Sequence, residues 1–354
     1  MAFWAIGFPS LLSENSPASS ILDVTGRTDT KRKRGDEFVS CFHPLRAVPV
    51  GVNLDTGKTR YAIRRDDGLL SHEDDSILVP CGQCIGCRLD RSRQWANRCM
   101  LELRDHEESV FATLTYDDDH VPMSTTVDGA PVMTLRKRDF QLFLKRLRKS
   151  IEPKKIRYYA CSEYGPQTYR PHYHAILFGY CPTDLRPWSK STQGYQYYVS
   201  DTLDKLWFNG RVLLGEVSWE TCAYTARYIA SKHLGDEAFI YKDANIEPPM
   251  SFMSRRPGIG GHVYEREPDL FQNGSIYVAS DAGSRRIDIP KYFLQKMSVD
   301  NPEEYVKIKA DRLYLAELSQ RERNLASGML PKSQRDIDEA AQLARAASLE
   351  RRFI

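Results

Sequence analysis

The sequence has no long apolar run and no strong excess of charge of either sign. Its 354 residues carry 50 lysines and arginines against 47 aspartates and glutamates, a formal net charge of +3. The chain is therefore not a polycation, and any surface that attracts nucleic acid must be a local patch. The apolar start, residues 1–12, is interrupted by Gly7 and Pro9 and lacks a preceding basic region. We therefore expect neither a signal peptide nor a membrane anchor.

A nucleotide-binding loop is also missing from the sequence. The glycine-rich segment Arg255–Gly261 has no Lys-Ser or Lys-Thr pair after its glycines, so no nucleotide cofactor is expected. Its glycines expose backbone amides, and together with Arg255 and Arg256 they predict a close approach to a DNA backbone. Eight cysteines without an export signal indicate a reducing compartment.

Three of the eight cysteines form a Cys81-x-x-Cys84-x-x-Cys87 motif. This spacing is typical of thiolates that surround one metal ion, and a tetrahedral zinc site needs a fourth ligand. Cys41 is the candidate for that ligand, with His43 as the alternative. An iron–sulfur cluster and reduced, unligated thiols are the other interpretations of the motif. The remaining cysteines are expected to be small buried apolar residues: Cys99, Cys161, Cys181 and Cys222.

Two histidines flank a tyrosine at the start of an apolar run, His172-Tyr173-His174-Ala175-Ile176-Leu177-Phe178. In a strand both imidazoles point to one face, about 7 Å apart, and can reach one metal ion. A turn-forming stretch, residues 164–168, precedes them, so a hairpin would bring Glu163 beside His172. One carboxylate and two imidazoles, with open positions, suit Mg²⁺ or Mn²⁺ acting on phosphate. The alternative is a pair of ordinary strand histidines that bond to their neighbours.

Tyr224, Tyr228 and Lys232 follow each other at intervals of four residues in a segment of helical composition. They form one stripe on one helix face. A tyrosine hydroxyl, with a pKa near 10, becomes a good nucleophile only when a cation stabilises its phenolate, and Lys232 can contribute to that. The alternative is that the tyrosine rings simply pack on the core.

A basic segment with an apolar stripe predicts an amphipathic helix that starts near Arg136. Beside a phosphodiester site, its outer face is expected to contact DNA phosphates, and a merely solvated face is the alternative. The predicted DNA-binding residues are Arg136, Lys137, Arg138, Lys145, Arg146, Arg148, Lys149, Arg255 and Arg256.

The order of these motifs resembles the rolling-circle replication initiators of the HUH endonuclease superfamily, and in particular those of gokushovirus-type microviruses. The resemblance covers roughly residues 40 to 300. It rests on the Phe111-x-Thr113-Leu114-Thr115-Tyr116 strand, on the Glu, His and Tyr motifs above, and on the segments Val79–Arg88, Phe140–Lys149 and Arg255–Gly260. It implies that His172 and His174 bind the catalytic metal, that Tyr224 and Tyr228 attack the scissile phosphodiester, and that Lys232 assists. Glu163 as the third ligand is a looser transfer, since that carboxylate varies in position across the superfamily.

The expected fold is α+β, a central antiparallel sheet with helices on one face, a Cys-rich N-terminal region and a helical C-terminal tail. The strands of Thr113, Tyr159 and His174 should be central, with the tyrosine helix over the metal site. We divide the chain into a flexible extension (1–39), a Cys-rich segment with a helix (40–104), an endonuclease core (105–245), an accessory DNA-contacting segment (246–300) and a helical tail (301–354).

The resemblance further implies a single-stranded origin DNA as the partner, together with a host helicase and polymerase, in the cytoplasm of a bacterial host. The competing hypotheses are a non-catalytic, zinc-stapled nucleic-acid-binding protein and a relaxase or transposase of the same superfamily. The first leaves the spacing of the histidines, tyrosines and lysine unexplained. The second shares the chemistry and differs in biological role.

Overall fold

An antiparallel seven-stranded sheet forms the centre of the protein. The computed structural model describes residues 41–54, 57, 59–65, 76–165, 167–191, 194–231, 238–280, 283–327 and 331–350. Within them the strands are β1 (Leu45–Val52), β2 (Thr59–Arg65), β3 (Ile77–Val79), β4 (Ser109–Tyr116), β5 (Met123–Thr125), β6 (Pro131–Met133), β7 (Arg157–Tyr164), β8 (Pro171–Phe178), β9 (Arg186–Lys190), β10 (Gln196–Val199), β11 (Gly210–Gly215), β12 (Ser251–Met253), β13 (Ser275–Ser280) and β14 (Gly283–Asp288).

The helices of the described residues flank this sheet and form the C-terminal region. They are α1 (Ile85–Leu103), α2 (Lys137–Ser150), α3 (Asp201–Trp207), α4 (Trp219–Ser231), α5 (Phe239–Asp243), α6 (Gly261–Arg266), α7 (Lys291–Asp300), α8 (Pro302–Ser327) and α9 (Pro331–Glu350). The expected helical tail corresponds to α8 and α9. None of the described helices is long and apolar enough to cross a membrane.

The central sheet has the strand order β12-β7-β8-β4-β11-β10-β9, with β7, β8 and β4 in its interior. The expected central position of the Thr113, Tyr159 and His174 strands is confirmed. Side chains of β8 alternate between two cores, because successive residues of a strand point to opposite faces. Ile176 and Phe178 join one core, and Tyr173, Ala175 and Leu177 join the other.

Helices cover both faces of the sheet, so the expectation of helices on one face is wrong. Residues of α1 and α4 pack with Ile176 and Phe178, whereas residues of α2 and α3 pack on the opposite face. The reason lies in the strands. Both side-chain rows of β8 are apolar, and each row needs a layer that removes it from water.

Helix α2 forms as its sequence predicts. Its buried residues Phe140, Phe143, Leu144 and Leu147 recur at the spacing that places them on one helix face. Asp139 in the first turn and basic residues in the last turn complement the helix dipole. The apolar stripe thereby fixes which side of α2 faces the sheet.

Helix α4 rests on α1, and this contact sets its position over β7 and β8. Ser92 Oγ donates to the Ala223 carbonyl at 2.8 Å, and Trp219 Nε1 donates to Asn97 Oδ1 at 2.9 Å. The side chain of Cys222 is fully buried within the same core. These bonds hold the first two turns of α4 in a fixed register against α1.

Candidate active site

Glu163, His172 and His174 meet on the sheet face that α4 covers. Glu163 lies directly opposite His172 in the β7–β8 hairpin, which confirms the expected hairpin. His174 Nε2 lies 3.2 Å from Glu163 Oε1, and His172 Nε2 is hydrogen-bonded to the same oxygen. One ligand atom from each of the three residues lies within 4.8 Å of the others.

The far nitrogens of both imidazoles are held by neighbouring groups. His172 Nδ1 lies 3.1 Å from the Arg170 carbonyl oxygen, which can only accept, so Nδ1 carries the proton of that bond. His174 Nδ1 lies 3.0 Å from Thr113 Oγ1, on the neighbouring strand β4. Partners of this kind fix the ring orientation of metal-binding histidines, and both Nε2 atoms face Glu163 as a result.

Burial and hydrogen bonding act in opposite directions on the Glu163 carboxyl, which is 4 % exposed. Burial raises its pKa, but hydrogen bonds from His172 and His174 outweigh burial, and the pKa lies below its usual value. Burial lowers the pKa of His174 and favours its neutral form, the form that binds metal. The site therefore pairs an ionised carboxylate with a neutral imidazole.

This donor set fits a hard divalent cation. An ion with ligands at about 2.1 Å holds neighbouring donor atoms about 3 Å apart, comparable with the 3.2 Å between His174 Nε2 and Glu163 Oε1. Three protein ligands leave positions open for a substrate, as catalytic metal sites require. The residues present are compatible with Mg²⁺ or Mn²⁺.

Tyr224 lies against this cluster, in the second turn of α4. Its ring centroid is 5.1 Å from that of His174 and 6.2 Å from that of Phe111. Tyr228 follows one helical turn later in α4, and Lys232 lies outside the described residues. The structure thus brings one of the two candidate nucleophiles to the side of the histidine pair.

The four candidate zinc ligands form a second cluster of metal-binding groups among the described residues. One Sγ atom each from Cys41, Cys81, Cys84 and Cys87 lies within 4.8 Å of the others. Zinc–sulfur bonds of about 2.3 Å in a tetrahedron separate the sulfurs by about 3.8 Å. The Cys81–Cys87 and Cys84–Cys41 sulfurs are 4.0 Å and 3.9 Å apart.

Backbone amides surround these sulfurs. The amides of Gln83 and Cys84 donate to Cys81 Sγ at 3.4 Å and 3.3 Å, and they lower the Cys81 pKa although burial acts to raise it. The alternative ligand His43 is turned to another partner, since its Nε2 lies 2.6 Å from a carboxylate oxygen of Glu339 in α9. The donor set present is therefore four thiolates.

The remaining cysteines lie elsewhere in the fold. Cys99, Cys161 and Cys222 are fully buried, as expected. Cys181 is only half-buried, so the expectation of a buried residue is wrong there. The reason is its place in the turn three residues beyond the end of β8.

The basic residues do not surround the histidines. Helix α2 packs on the opposite sheet face, so the expectation that it lies beside the metal cluster is wrong. Apolar periodicity identifies the buried side of a helix but not the sheet face that receives it. The guanidinium of Arg146 donates to the carbonyls of Leu206 and Trp207 at 2.6 Å and 3.3 Å. This one of the predicted DNA contacts therefore joins α2 to α3.

Arg255 and Arg256 follow β12 and lie at the end of β7 remote from Glu163, near Arg157. The glycines after them do not present free amides, contrary to expectation. The Gly260 amide donates to the buried Glu102 carboxylate at 2.5 Å. A Cβ atom on Gly258 would lie 2.9 Å from Arg98 Nη2 and Tyr292 Oη, so the glycine is required by internal packing.

Two residues with clear contacts to the site were not singled out from the sequence. Thr113 bonds to His174, and Arg170 both provides the carbonyl for His172 and binds the Tyr116 carbonyl at 2.9 Å through Nη1. Strand alternation offers a signal for Thr113, since Phe111 and Thr113 share a face of β4. The Arg170 contact depends on the turn geometry and has no such signal.

The similarities of the chain to known proteins agree with this arrangement. Residues 109–233, which span β4 to α4, match the family model of the replication-associated protein ORF2. The chain is 33% identical over 252 residues to the replication-associated protein ORF2 of Spiroplasma virus 4, covering 69% of this chain and 76% of that protein. It is 30% identical over 298 residues to the replication-associated protein VP4 of Bdellovibrio phage phiMH2K, covering 80% and 87%.

A third relative is the replication-associated protein ORF4 of Chlamydia phage 1, which is 32% identical over 177 residues, 47% of this chain and 41% of that protein. No solved structure shows detectable similarity to the chain. The α+β fold and the two matches that cover most of both chains define the class, a phage replication-associated protein. The chain belongs to the ORF2 family of replication-associated proteins, as the resemblance to microvirus initiators implied.

Proposed function

We propose that this protein initiates rolling-circle replication of a small circular single-stranded DNA phage genome. It nicks single-stranded origin DNA and later rejoins it through a 5′-phosphotyrosine intermediate. The observation that carries the proposal is the position of the Tyr224 ring, 5.1 Å from His174 in a buried Glu-His-His cluster. A site that only stabilises the fold has no need for open ligand positions beside a tyrosine.

In the proposed reaction the phenolate oxygen of one tyrosine forms a bond to the scissile phosphorus, and the bond from phosphorus to the 3′ oxygen breaks. The phenolic proton is transferred, and the freed 3′ oxygen ends as a hydroxyl that primes synthesis. A divalent ion held by Glu163, His172 and His174 would polarise the phosphate and stabilise charge on the leaving oxygen. Lys232 would stabilise the phenolate.

Two tyrosines explain a complete cycle. The first remains linked to the 5′ phosphate while the strand is displaced. The second, Tyr228 if Tyr224 acts first, cuts the regenerated origin, and the new 3′ hydroxyl attacks the original phosphotyrosine to close a circle. No water is consumed, so the energy of each phosphodiester bond is conserved and every step is reversible.

The test is incubation of an origin oligonucleotide with the protein and Mn²⁺. We expect a covalent adduct on a denaturing gel that EDTA prevents, that each single Tyr224→Phe or Tyr228→Phe variant reduces, and that the double variant lacks. Tyr195→Phe, an exposed tyrosine on the β9–β10 connection, is the matched control. An adduct that survives in the double variant would overturn the assignment. DNA binding without nicking in either Mg²⁺ or Mn²⁺ would favour the non-catalytic binding protein.

We also propose a structural zinc ion bound by Cys41, Cys81, Cys84 and Cys87. The sulfur separations and the amides that donate to Cys81 Sγ support it. Such an ion would join the segment of β1 to the start of α1. Native mass spectrometry should find one zinc per chain, lost in Cys84→Ser and retained in Cys181→Ser. Absence of zinc from the native wild-type protein would refute this site without touching the proposed nicking.

The proposed scheme needs other proteins. The protein makes the 3′ end, and a host polymerase would extend it while a host helicase opens the duplex. We therefore propose the cytoplasm of the bacterial host as the place of action. Pull-down from a host extract with nicked origin DNA bound should recover both enzymes, and recovery that is the same with the adduct-deficient double variant would contradict this.

A further inference from the structure

A basic cavity of about 1070 Å³ opens at the end of β7 remote from the Glu-His-His cluster. It lies between the last turn of α2, the first residues of β7, the Arg255–Arg256 segment and α6. Its lining includes six arginine and lysine side chains but only two carboxylates. The cavity therefore carries an excess of positive charge that the chain as a whole does not have.

Four of these six cations have no ion-pair partner among the residues that the structure describes: Arg148, Lys155, Arg255 and Arg256. All four are exposed. The other two are neutralised, since Arg157 binds Glu102 and Arg266 binds Asp105 and Glu267. Like charges gathered around one opening repel each other, and an anionic ligand relieves that repulsion.

The cavity wall is held firmly. Arg157 Nη2 donates to the Pro257 carbonyl at 2.9 Å, which fixes the segment after Arg256 to the sheet. The guanidinium carbon of Arg148 lies 5.4 Å from the centre of the Tyr158 ring. A rigid wall with outward-facing cations is suited to a backbone of repeated phosphates, because each phosphate meets a preset positive group.

The cavity is separate from the proposed catalytic site. Arg157 belongs to the cavity and Glu163 to the catalytic site, and the two residues are six positions apart on β7, which corresponds to about 20 Å of strand. In a B-form strand, with about 3.4 Å per nucleotide, this is about six nucleotides. One DNA segment can therefore reach both places.

We propose that this cavity is a second phosphodiester site, which holds the origin DNA backbone about six nucleotides from the phosphate that is cut. The inference rests on the proposed function and adds to it a contact that sets the register of the DNA. It also gives the basic outer face of α2 a role on its own side of the sheet, because its last turn supplies Arg148 to the cavity.

The first test measures the binding of a single strand of about 30 nucleotides at several salt concentrations, in EDTA so that no strand transfer takes place. Arg255→Gln/Arg256→Gln should weaken binding and reduce the slope of log affinity against log salt by about 1.4, at about 0.7 per lost contact with single-stranded phosphate. Lys307→Gln/Lys309→Gln on α8 removes the same charge from exposed positions and should leave the slope unchanged. Equal changes in the two double variants would overturn the proposal.

The second test locates the contact. Oligonucleotides centred on the mapped nick are shortened from either side, and the affinities of wild type and Arg255→Gln/Arg256→Gln are compared at each length. The two proteins should become equal once one particular flank is shorter than about six nucleotides. A difference that persists on the shortest strands would mean that these arginines act elsewhere. Since neither test needs chemistry, a protein that binds as expected but never nicks would refute the proposed function and leave the cavity site standing.

Discussion

Two buried glutamates lie on the same side of the central sheet, near opposite ends of β7, and they differ in what balances their charge. Glu102, on α1, is fully buried and receives hydrogen bonds from His106, Arg157 and the Gly260 amide. Glu163 is almost as buried, but the basic side chains bonded to it are only the imidazoles of His172 and His174. A buried carboxylate without a full positive charge beside it is costly.

The difference indicates what each carboxylate is for. Glu102 has a permanent cation and joins three segments of chain, so it completes its own environment. Glu163 and the two imidazoles together provide three ligand atoms but no fixed positive charge, so a bound divalent cation would complete the set. Two glutamates in one core thus separate a structural ion pair from a candidate metal site.

The sharpest way to break the comparison is to neutralise Glu163. Under the proposed mechanism, Glu163→Gln should lower the nicking rate by at least about 10³-fold, because a metal contributes several kcal/mol to the transition state. Quantified adduct formation with Mn²⁺ gives the rate. Glu102→Gln is the matched control, measured at a temperature where it is folded. Comparable losses of nicking in both variants would erase the distinction.

Neutralising Glu102 should have its main effect on stability. Removing one partner from a buried ion pair costs about 3–5 kcal/mol, because Arg157 is left without its counter-charge. Urea unfolding should show this loss for Glu102→Gln, whereas Glu163→Gln in EDTA should lose far less, since an amide keeps the shape of the side chain and removes a buried charge. An equally stable Glu102→Gln would contradict the structural role.

Much of this contrast was predictable from the sequence, but only one half of it. Two-residue alternation places His172 and His174 on one face, and the turn residues after Tyr164 return the chain so that Glu163 meets them. Glu102 was missed, although a charged residue stands among the apolar positions of α1. Its partner Arg157 is 55 residues away, and no local period connects the two.

Longer-range placement limited the prediction in the same way. The apolar stripe of α2 was recognised correctly, yet it could not reveal that the helix would lie on the far side of the sheet from His174. Cys41 was a correct choice for the fourth position of the sulfur cluster in geometric terms, since a spaced cysteine was available. Both outcomes depend on tertiary packing, which spacing along the chain does not encode.

Divalent ions provide a direct measure of the missing charge at Glu163. At a Mn²⁺ concentration about 100 times its dissociation constant, the wild-type protein should gain about 2.7 kcal/mol of unfolding free energy. Glu163→Gln should gain much less, and Glu102→Gln should gain as much as the wild type from its lower starting point. Thermal unfolding with and without Mn²⁺ measures all three. A full Mn²⁺ effect in Glu163→Gln would place the binding elsewhere.

Thr113 should affect the metal site and leave stability nearly unchanged. Thr113→Val keeps the shape of the side chain but removes the hydroxyl 3.0 Å from His174 Nδ1, so the imidazole loses a group that orients it. Loss of such a partner costs about 10- to 100-fold in metal affinity or activity. Mn²⁺ titration and nicking rates should fall together in this variant. Thr115→Val, opposite His172 in the β4–β8 pairing, is the control, and an equal effect there would argue for general packing.

The smallest expected effect is the dependence of stability on pH at Glu102. Burial raises the pKa of this carboxyl, but the bonds from His106, Arg157 and Gly260 outweigh it, and the pKa lies below the usual 4.5. A lowered folded-state pKa means that the stabilisation is complete above pH 4.5 and is lost as pH falls through the folded-state value. Each unit of lowering contributes about 1.4 kcal/mol.

The difference in unfolding free energy between wild type and Glu102→Gln isolates this group from the other carboxyls. It should be constant near neutral pH and should shrink progressively below pH 4.5, because protonation removes the charge that the variant already lacks. Urea unfolding of both proteins between about pH 7 and pH 3 gives the curve. A difference that grows in acid would mean that Glu102 is protonated in the folded protein, and the contrast with Glu163 would then rest on the wrong charge state.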